Sequence, residues 1–128
     1  MTPEQQVTSL EISKRLKELG VRKKALFWWA NFDFEEKDYR WGITREPQGY
    51  FLGIPPIANV SAFTVAELGE MLPNRVNGRF FTEYKDSEGR FEVGYGSSNG
   101  FDEGYVVDIS EANARGKMLI YLLENKLI

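Results

Sequence analysis

The stretch FTVAELGEMLPNRVNGRFFT, residues 63–82, decides between two architectures. Its first half starts like the bracing helix of a DNA-reading helix-turn-helix, where a second helix must come at once to enter the major groove. Thr64 with Glu67 has the spacing of a capping box, and Phe63 with Leu68 that of a hydrophobic staple. A helix is therefore expected from about Val65 to Leu72, stopped by Pro73. After Pro73 the chain runs through Asn74-Arg75-Val76-Asn77-Gly78 into the β-rich Arg79-Phe80-Phe81-Thr82. Asn-Gly is a turn signal, and it leaves no room for a recognition helix. The stretch reads as a capped structural helix leading into a strand.

The same signature recurs near the N-terminus, with Thr8 and Glu11 as capping box and Val7 and Ile12 as staple. It predicts a helix from about Ser9 to Leu19, with Ile12, Leu16 and Leu19 on one face and Gly20 ending it. A third helix is expected from Ser110 or Glu111 to about Asn125. Between the helices the apolar period changes to two. Leu26 to Phe34, Tyr39 to Thr44 and Tyr50 to Ile54 read as strands, the last two joined by a turn at Glu46-Pro47-Gln48-Gly49. Arg79 to Lys85 and Arg90 to Gly96 flank Asp86-Ser87-Glu88-Gly89 as a hairpin, and Tyr105 to Ile109 is a sixth strand. This order predicts an α+β fold, a largely antiparallel sheet of about five or six strands with about three helices packed on it. No linker interrupts residues 1–128, so a single globular domain is expected.

Composition excludes several chemistries. The 128 residues contain no cysteine and no histidine, so there is no thiolate, no disulfide framework and no imidazole base. Ser-His and Cys-His catalysis are ruled out. Net charge is −3, which gives no overall drive toward nucleic acid or an anionic membrane. The longest apolar runs, Ala25 to Ala30 and Met118 to Leu123, fall far short of the ~20 residues of a spanning helix. MTPEQQVTSLEIS lacks the basic-then-apolar pattern of a signal peptide, so a cytoplasmic protein is expected, with no membrane partner.

Two stretches stand out as binding surfaces. In ALFWWANFDF, residues 25–34, strand alternation puts Leu26, Trp28, Ala30, Phe32 and Phe34 on one face, and Phe27, Trp29, Asn31 and Asp33 on the other. Both faces of residues 26–29 are large and apolar. Either the fold covers both, or a protein partner or a second copy covers Phe27 and Trp29. Aromatic side chains are favoured anchors, which makes Trp28, Trp29 and Trp41 the candidate protein-binding residues. The second stretch is basic. Lys14, Lys17, Arg22, Lys23 and Lys24 are candidates for neutralising nucleic-acid phosphates. Against this, Glu11 and Glu18 are spaced to pair with the cations of a solvated helix face.

Catalytic and metal signals are weak. Asp33, Glu35, Glu36 and Asp38 form an acidic cluster without the spacing of a calcium loop. Asp102-Glu103 and Asp108 could meet it only through folding. GYGSSNG, residues 94–100, has phosphate-loop glycines but lacks the Gly-Lys-Ser/Thr ending, and reads as a loop. No cofactor and no metal are expected. Gly69 and Gly116 lie inside helices at a cost of about 1 kcal/mol each against alanine, which close backbone approach would explain; the alternative for Gly69 is that a short helix simply tolerates it.

SLEISKRLKELG (9–20), SAFTVAELGEMLP (61–73) and GKMLIYLLENKLI (116–128), taken in order, resemble a family of small uncharacterised proteins encoded by bacteriophages and prophages. No site residues come with that resemblance. It implies a bacterial host cytoplasm and an accessory role. The expected function is a non-enzymatic protein-interaction module using its aromatic surface, with sequence-nonspecific nucleic-acid binding through the basic N-terminal helix as the alternative.

Overall fold

Serine hydroxyls start the two longest helices. Ser9 Oγ accepts from the Ile12 N–H at 3.3 Å, and Ser110 Oγ accepts from the Asn113 N–H at 3.1 Å. The computed structural model describes residues 2–32, 40–97 and 100–128. Among these it has four α-helices and seven strands in two antiparallel sheets, which confirms the α+β class. The chain divides into two compact units, residues 1–64 and 65–128, with one sheet in each.

In the first unit, α1 (Pro3–Gln6) and α2 (Leu10–Glu18) precede β1 (Phe27–Phe32), β2 (Arg40–Thr44) and β3 (Ala58–Ala62). The strand order is β2-β1-β3, with the aromatic strand in the centre. Ile12 and Leu16 are buried, as the helical period requires, and Gly20 ends the helix at φ 97°. Thr8 is not the cap of α2, because Ser9, its neighbour, takes that role. Thr8 is instead fully buried and pairs with the second staple segment. Its N–H donates to the Phe63 carbonyl at 2.9 Å, and its hydroxyl accepts from the Phe63 N–H at 3.2 Å. Val7 bridges to Thr64 beside it. The two look-alike stretches therefore meet as a two-stranded contact.

Tyr50 to Ile54 is not a strand. A 3-10 turn at Pro47–Gly49 leads into a tight reversal in which Phe51 and Ile54 exchange backbone hydrogen bonds of 3.0 and 2.8 Å. Leu52 (φ 49°) and Gly53 (φ 79°) both sit in the left-handed region, as in a type I′ turn. The third strand is Ala58–Ala62, whose small and polar residues carry little apolar alternation. Gly49, at φ 81°, lies against the sheet: a Cβ there would stand 3.1 Å from that of Asn59 and 3.4 Å from that of Ala30.

In the second unit, α3 (Val65–Met71) is followed by β4 (Arg75–Val76) and β5 (Arg79–Lys85), joined at Asn77-Gly78, both at positive φ. No recognition helix follows α3, so the helix-turn-helix reading is excluded. β6 (Phe91–Ser97) and β7 (Gly100–Asp108) complete the order β4-β5-β6-β7. The predicted hairpin at Asp86 to Gly89 is present, with the Asp86 carboxylate accepting from the Glu88 and Arg90 N–H groups at 2.9 Å each. Gly94 to Ser97 continue β6 and are not a loop.

α4 (Glu111–Glu124) packs on β6 and β7 through Met118, Leu119 and Leu122, each buried. The sheet bulges at Gly104, whose φ is 67° and whose missing side chain makes room for Tyr121, 2.9 Å from a built Cβ. Tyr95 is buried on the helix-facing side and donates its hydroxyl to the Pro73 carbonyl at 2.7 Å. Burial pushes its phenol up to about 12.

Candidate functional site

The first unit itself packs against the Phe27 and Trp29 face of the aromatic strand β1. On the face of Phe27 and Trp29, Val7 packs with Phe27 and Ala62, while Trp29 and Ile43 pack against them. The indole N–H of Trp29 donates to the Thr8 carbonyl at 2.9 Å. Arg45 lies over the Phe27 ring, 5.4 Å from its centroid. Phe27 is buried there, while Trp29, like Trp28 and Trp41, is half-buried, so the first unit covers Phe27 fully and Trp29 in part. This cover has a local cause: Val7 is extended, so Val7 and the Thr8 carbonyl reach the sheet.

Trp28 points to the other face. Half-buried like Trp29, it differs in lining two recesses at once. One, of about 170 Å³, is bounded by Lys17 and Arg22 on one side and by Asn59 and Ser61 of β3 on the other. The second, of about 300 Å³, lies between Lys24, Leu26, Arg45, Pro47 and Gln48. Register explains the shared wall, because Trp28 pairs with Ser61 on β3 and Thr44 on β2. The segment leading to β1 is tied alongside, with Ser61 Oγ donating to the Lys23 carbonyl at 3.3 Å. Lys17 Nζ donates to the Asn59 carbonyl at 3.0 Å.

The remaining predicted residues are dispersed. Trp41 is half-buried on the edge strand β2, with Lys14 Nζ 4.8 Å above its ring. Lys14, Lys17, Arg22, Lys23 and Lys24 are all exposed. Only Lys17 and Arg22 share a recess, while Lys24 faces the other one and Lys14 belongs to Trp41. The three tryptophans therefore do not form one patch. Trp29 packs inward, Trp41 stacks under a lysine, and Trp28 stands between two cation-rimmed recesses.

The acidic cluster Asp33, Glu35, Glu36 and Asp38 lies outside the described residues. Glu103 accepts from the Tyr121 hydroxyl at 2.7 Å, and Asp108 accepts from Lys117 at 2.6 Å and from the Ser110 N–H at 2.8 Å, ties that hold β7 and α4 together. Among the described residues no three metal-ligating side chains converge. No described helix is long and apolar enough to cross a membrane.

Sequence reasoning missed Arg45 and the loop after it. Phe51, Leu52, Ile54 and Ile57 are exposed, Leu52 at 78%. The available signal was the frame of Pro47 and Gly49 before this apolar run and Pro55-Pro56 within it, which suits a turn better than a strand. Comparison of the chain with protein-family models, with curated proteins and with solved structures finds no match.

Proposed function

We propose that this chain is a non-enzymatic protein-interaction module that seats a partner on the Trp28 face of its first unit, in keeping with the phage-type accessory role that its resemblance implies. The observation that carries the reading is that Trp28 forms the common wall of two recesses, each rimmed by cations. A half-exposed indole offers a large contact area for two rotatable bonds, and Lys17, Arg22, Lys24 and Arg45 around it select for an acidic surface. Phage accessory function in a bacterial cytoplasm gives such a module host or phage proteins to bind.

The other reading is a nucleic-acid strand stacked on Trp28, with the same cations on its phosphates. Affinity capture from bacterial lysate with wild type and Trp28→Ala, each with and without nuclease, separates the two. A protein held by wild type, lost in Trp28→Ala and insensitive to nuclease supports the interaction module. Nucleic acid recovered in its place, and lost at moderate salt, supports the alternative. Identical capture by both chains removes Trp28 from the site.

A further inference from the structure

The loop from Phe51 to Ile57 combines three properties that a solvated loop does not need together. The first is apolar exposure: Phe51, Leu52, Ile54 and Ile57 are 46%, 78%, 48% and 57% exposed, and no polar side chain stands among residues 51–57. The second is the state of its backbone donors. Phe51 and Ile54 bond each other, and Leu52 and Gly53 donate to the Glu46 carboxylate at 2.6 and 3.3 Å. Pro55 and Pro56 have no N–H, and Ile57 donates to the Asn31 carbonyl at 2.8 Å. Every backbone N–H of the loop is therefore spent within the chain. The third is a cationic foot: Pro47 and Gln48 share the 300 Å³ recess with Lys24 and Arg45, and the exposed Leu26 lies beside them.

We infer that this loop is a docking surface for an anionic lipid bilayer, into whose outer layer Phe51, Leu52 and Ile54 insert while Lys24 and Arg45 meet the headgroup phosphates. A segment entering hydrocarbon must satisfy its backbone polar groups internally, and the N–H groups of this loop and the carbonyls of Phe51 and Ile54 do so. A protein interface of ordinary kind carries about one hydrogen bond per 100–200 Å², and a tip with neither polar side chains nor unspent N–H groups has few to offer. Peripheral attachment combines buried apolar area with attraction of cations to acidic headgroups; the loop supplies the first, and Lys24 and Arg45, which share a recess with Pro47 and Gln48 just before the loop in sequence, supply the second. The expectation of no membrane partner rests on net charge and on apolar runs too short to span. Run length does not bear on a loop that only enters a surface, and against a net charge of −3 the attraction has to come from the local cations Lys24 and Arg45.

The test is co-sedimentation of the full chain with vesicles of phosphatidylcholine alone and of phosphatidylcholine mixed with phosphatidylglycerol. Wild type is expected to pellet with the mixed vesicles. The Leu52→Ser/Ile54→Ser chain should bind at least about tenfold more weakly, since two apolar anchors are lost. Lys24→Glu/Arg45→Glu should remove the preference for acidic lipid. Leu52→Gly, which suits the positive φ at that position, repeats the loss in a chain whose fold is checked by its circular dichroism. Failure of wild type to pellet overturns the inference, as does undiminished pelleting of the loop variants. A concentration-dependent dimer that Leu52→Ser dissolves, without vesicle binding, also overturns it and assigns the loop to a second copy. The loop variants lie outside the Trp28 recesses, so their vesicle readout is separate from capture by Trp28, whereas Lys24 and Arg45 belong to both surfaces and are read in both assays.

Discussion

A Cβ added to Gly69 would stand 2.6 Å from Nη1 of Arg115. That guanidinium is held in place: Nε and Nη2 donate to the Glu83 carboxylate at 2.8 and 3.3 Å, and Nη1 to the Val65 carbonyl at 3.3 Å. The glycine inside α3 thus makes room for the group that ties α3 and α4 to β5.

The usual gain of about 1 kcal/mol for alanine over glycine in a helix should therefore be absent at this position. Gly69→Ala is expected to destabilise by about 1 kcal/mol in urea unfolding, because Nη1 must leave Val65, and a hydrogen bond from a charged donor is worth about 1.5–3 kcal/mol. In an Arg115→Ala background the same change should become stabilising. A gain in the wild-type background would show that the guanidinium moves away freely.

Glu111 shares this cluster and gives it a pH dependence. Its hydrogen bond to Glu83, its burial and the charge of Glu83 raise its carboxyl to about 7. Burial alone would raise Glu83 as well, but the hydrogen bonds from Arg115 and Glu111 and the charge of Arg115 together outweigh it and hold Glu83 below its ordinary value. A group raised in the folded state keeps a proton that the unfolded chain releases, so its stabilisation is complete at low pH and is lost as pH rises from about 4.5 to about 7. Glu83 acts in the opposite sense, its contribution disappearing only as pH falls below the ordinary carboxylate range. The thermal midpoint should drop as pH is raised from about 4.5 to about 7, and Glu111→Gln should flatten that slope. An equal slope in Glu111→Gln would place the titrating group elsewhere.

Thr8 is fully buried, and its hydroxyl lies 2.7 Å from Ser13 Oγ and accepts from the Phe63 N–H. Thr8→Val keeps the shape but strands the Phe63 N–H, while Ser13 Oγ keeps its 3.3 Å hydrogen bond to the Thr8 carbonyl. A buried unsatisfied group costs about 1–3 kcal/mol, so a loss of about 1–3 kcal/mol is expected on urea unfolding. A loss below about 0.5 kcal/mol would mean that water or a local shift satisfies the Phe63 N–H.

Trp28 and Trp29 are adjacent in sequence and opposite in consequence. Trp29→Ser removes an indole packed on Phe27 and Ala62 and its hydrogen bond to Thr8, and should destabilise by about 3 kcal/mol. Trp28→Ser should cost about 1 kcal/mol and leave the circular dichroism unchanged, since its ring walls open recesses. A purely partner-facing Trp29 would instead accept a polar residue with the fold intact. Equal losses at the two positions would show that both rings are core.

Much of the local structure was legible because it depends on residues within about four positions. Ser110 and Asn113, Asn77-Gly78, and Asp86 with its turn all form contacts that the sequence brings together, so the helix starts and hairpins fall where they were expected. Ser9 took the cap from Thr8 because two neighbouring hydroxyls compete, and the loser was drawn into a contact 55 residues away. The α+β class followed from the same local signals.

Sequence by itself thus determined where helices begin, where chains reverse and which chemistries are absent. Tertiary structure alone decided that Ala58–Ala62, and not Tyr50 to Ile54, pairs with β1, and that the strands divide between two sheets. It also decided that Trp29 turns inward while Trp28 walls two recesses, and that an apolar loop is held outside the core by Glu46. The physical reason is the range of the interactions. Capping and turn chemistry act over a few residues, whereas strand pairing and burial depend on which distant segments meet, and apolar alternation does not encode the partner.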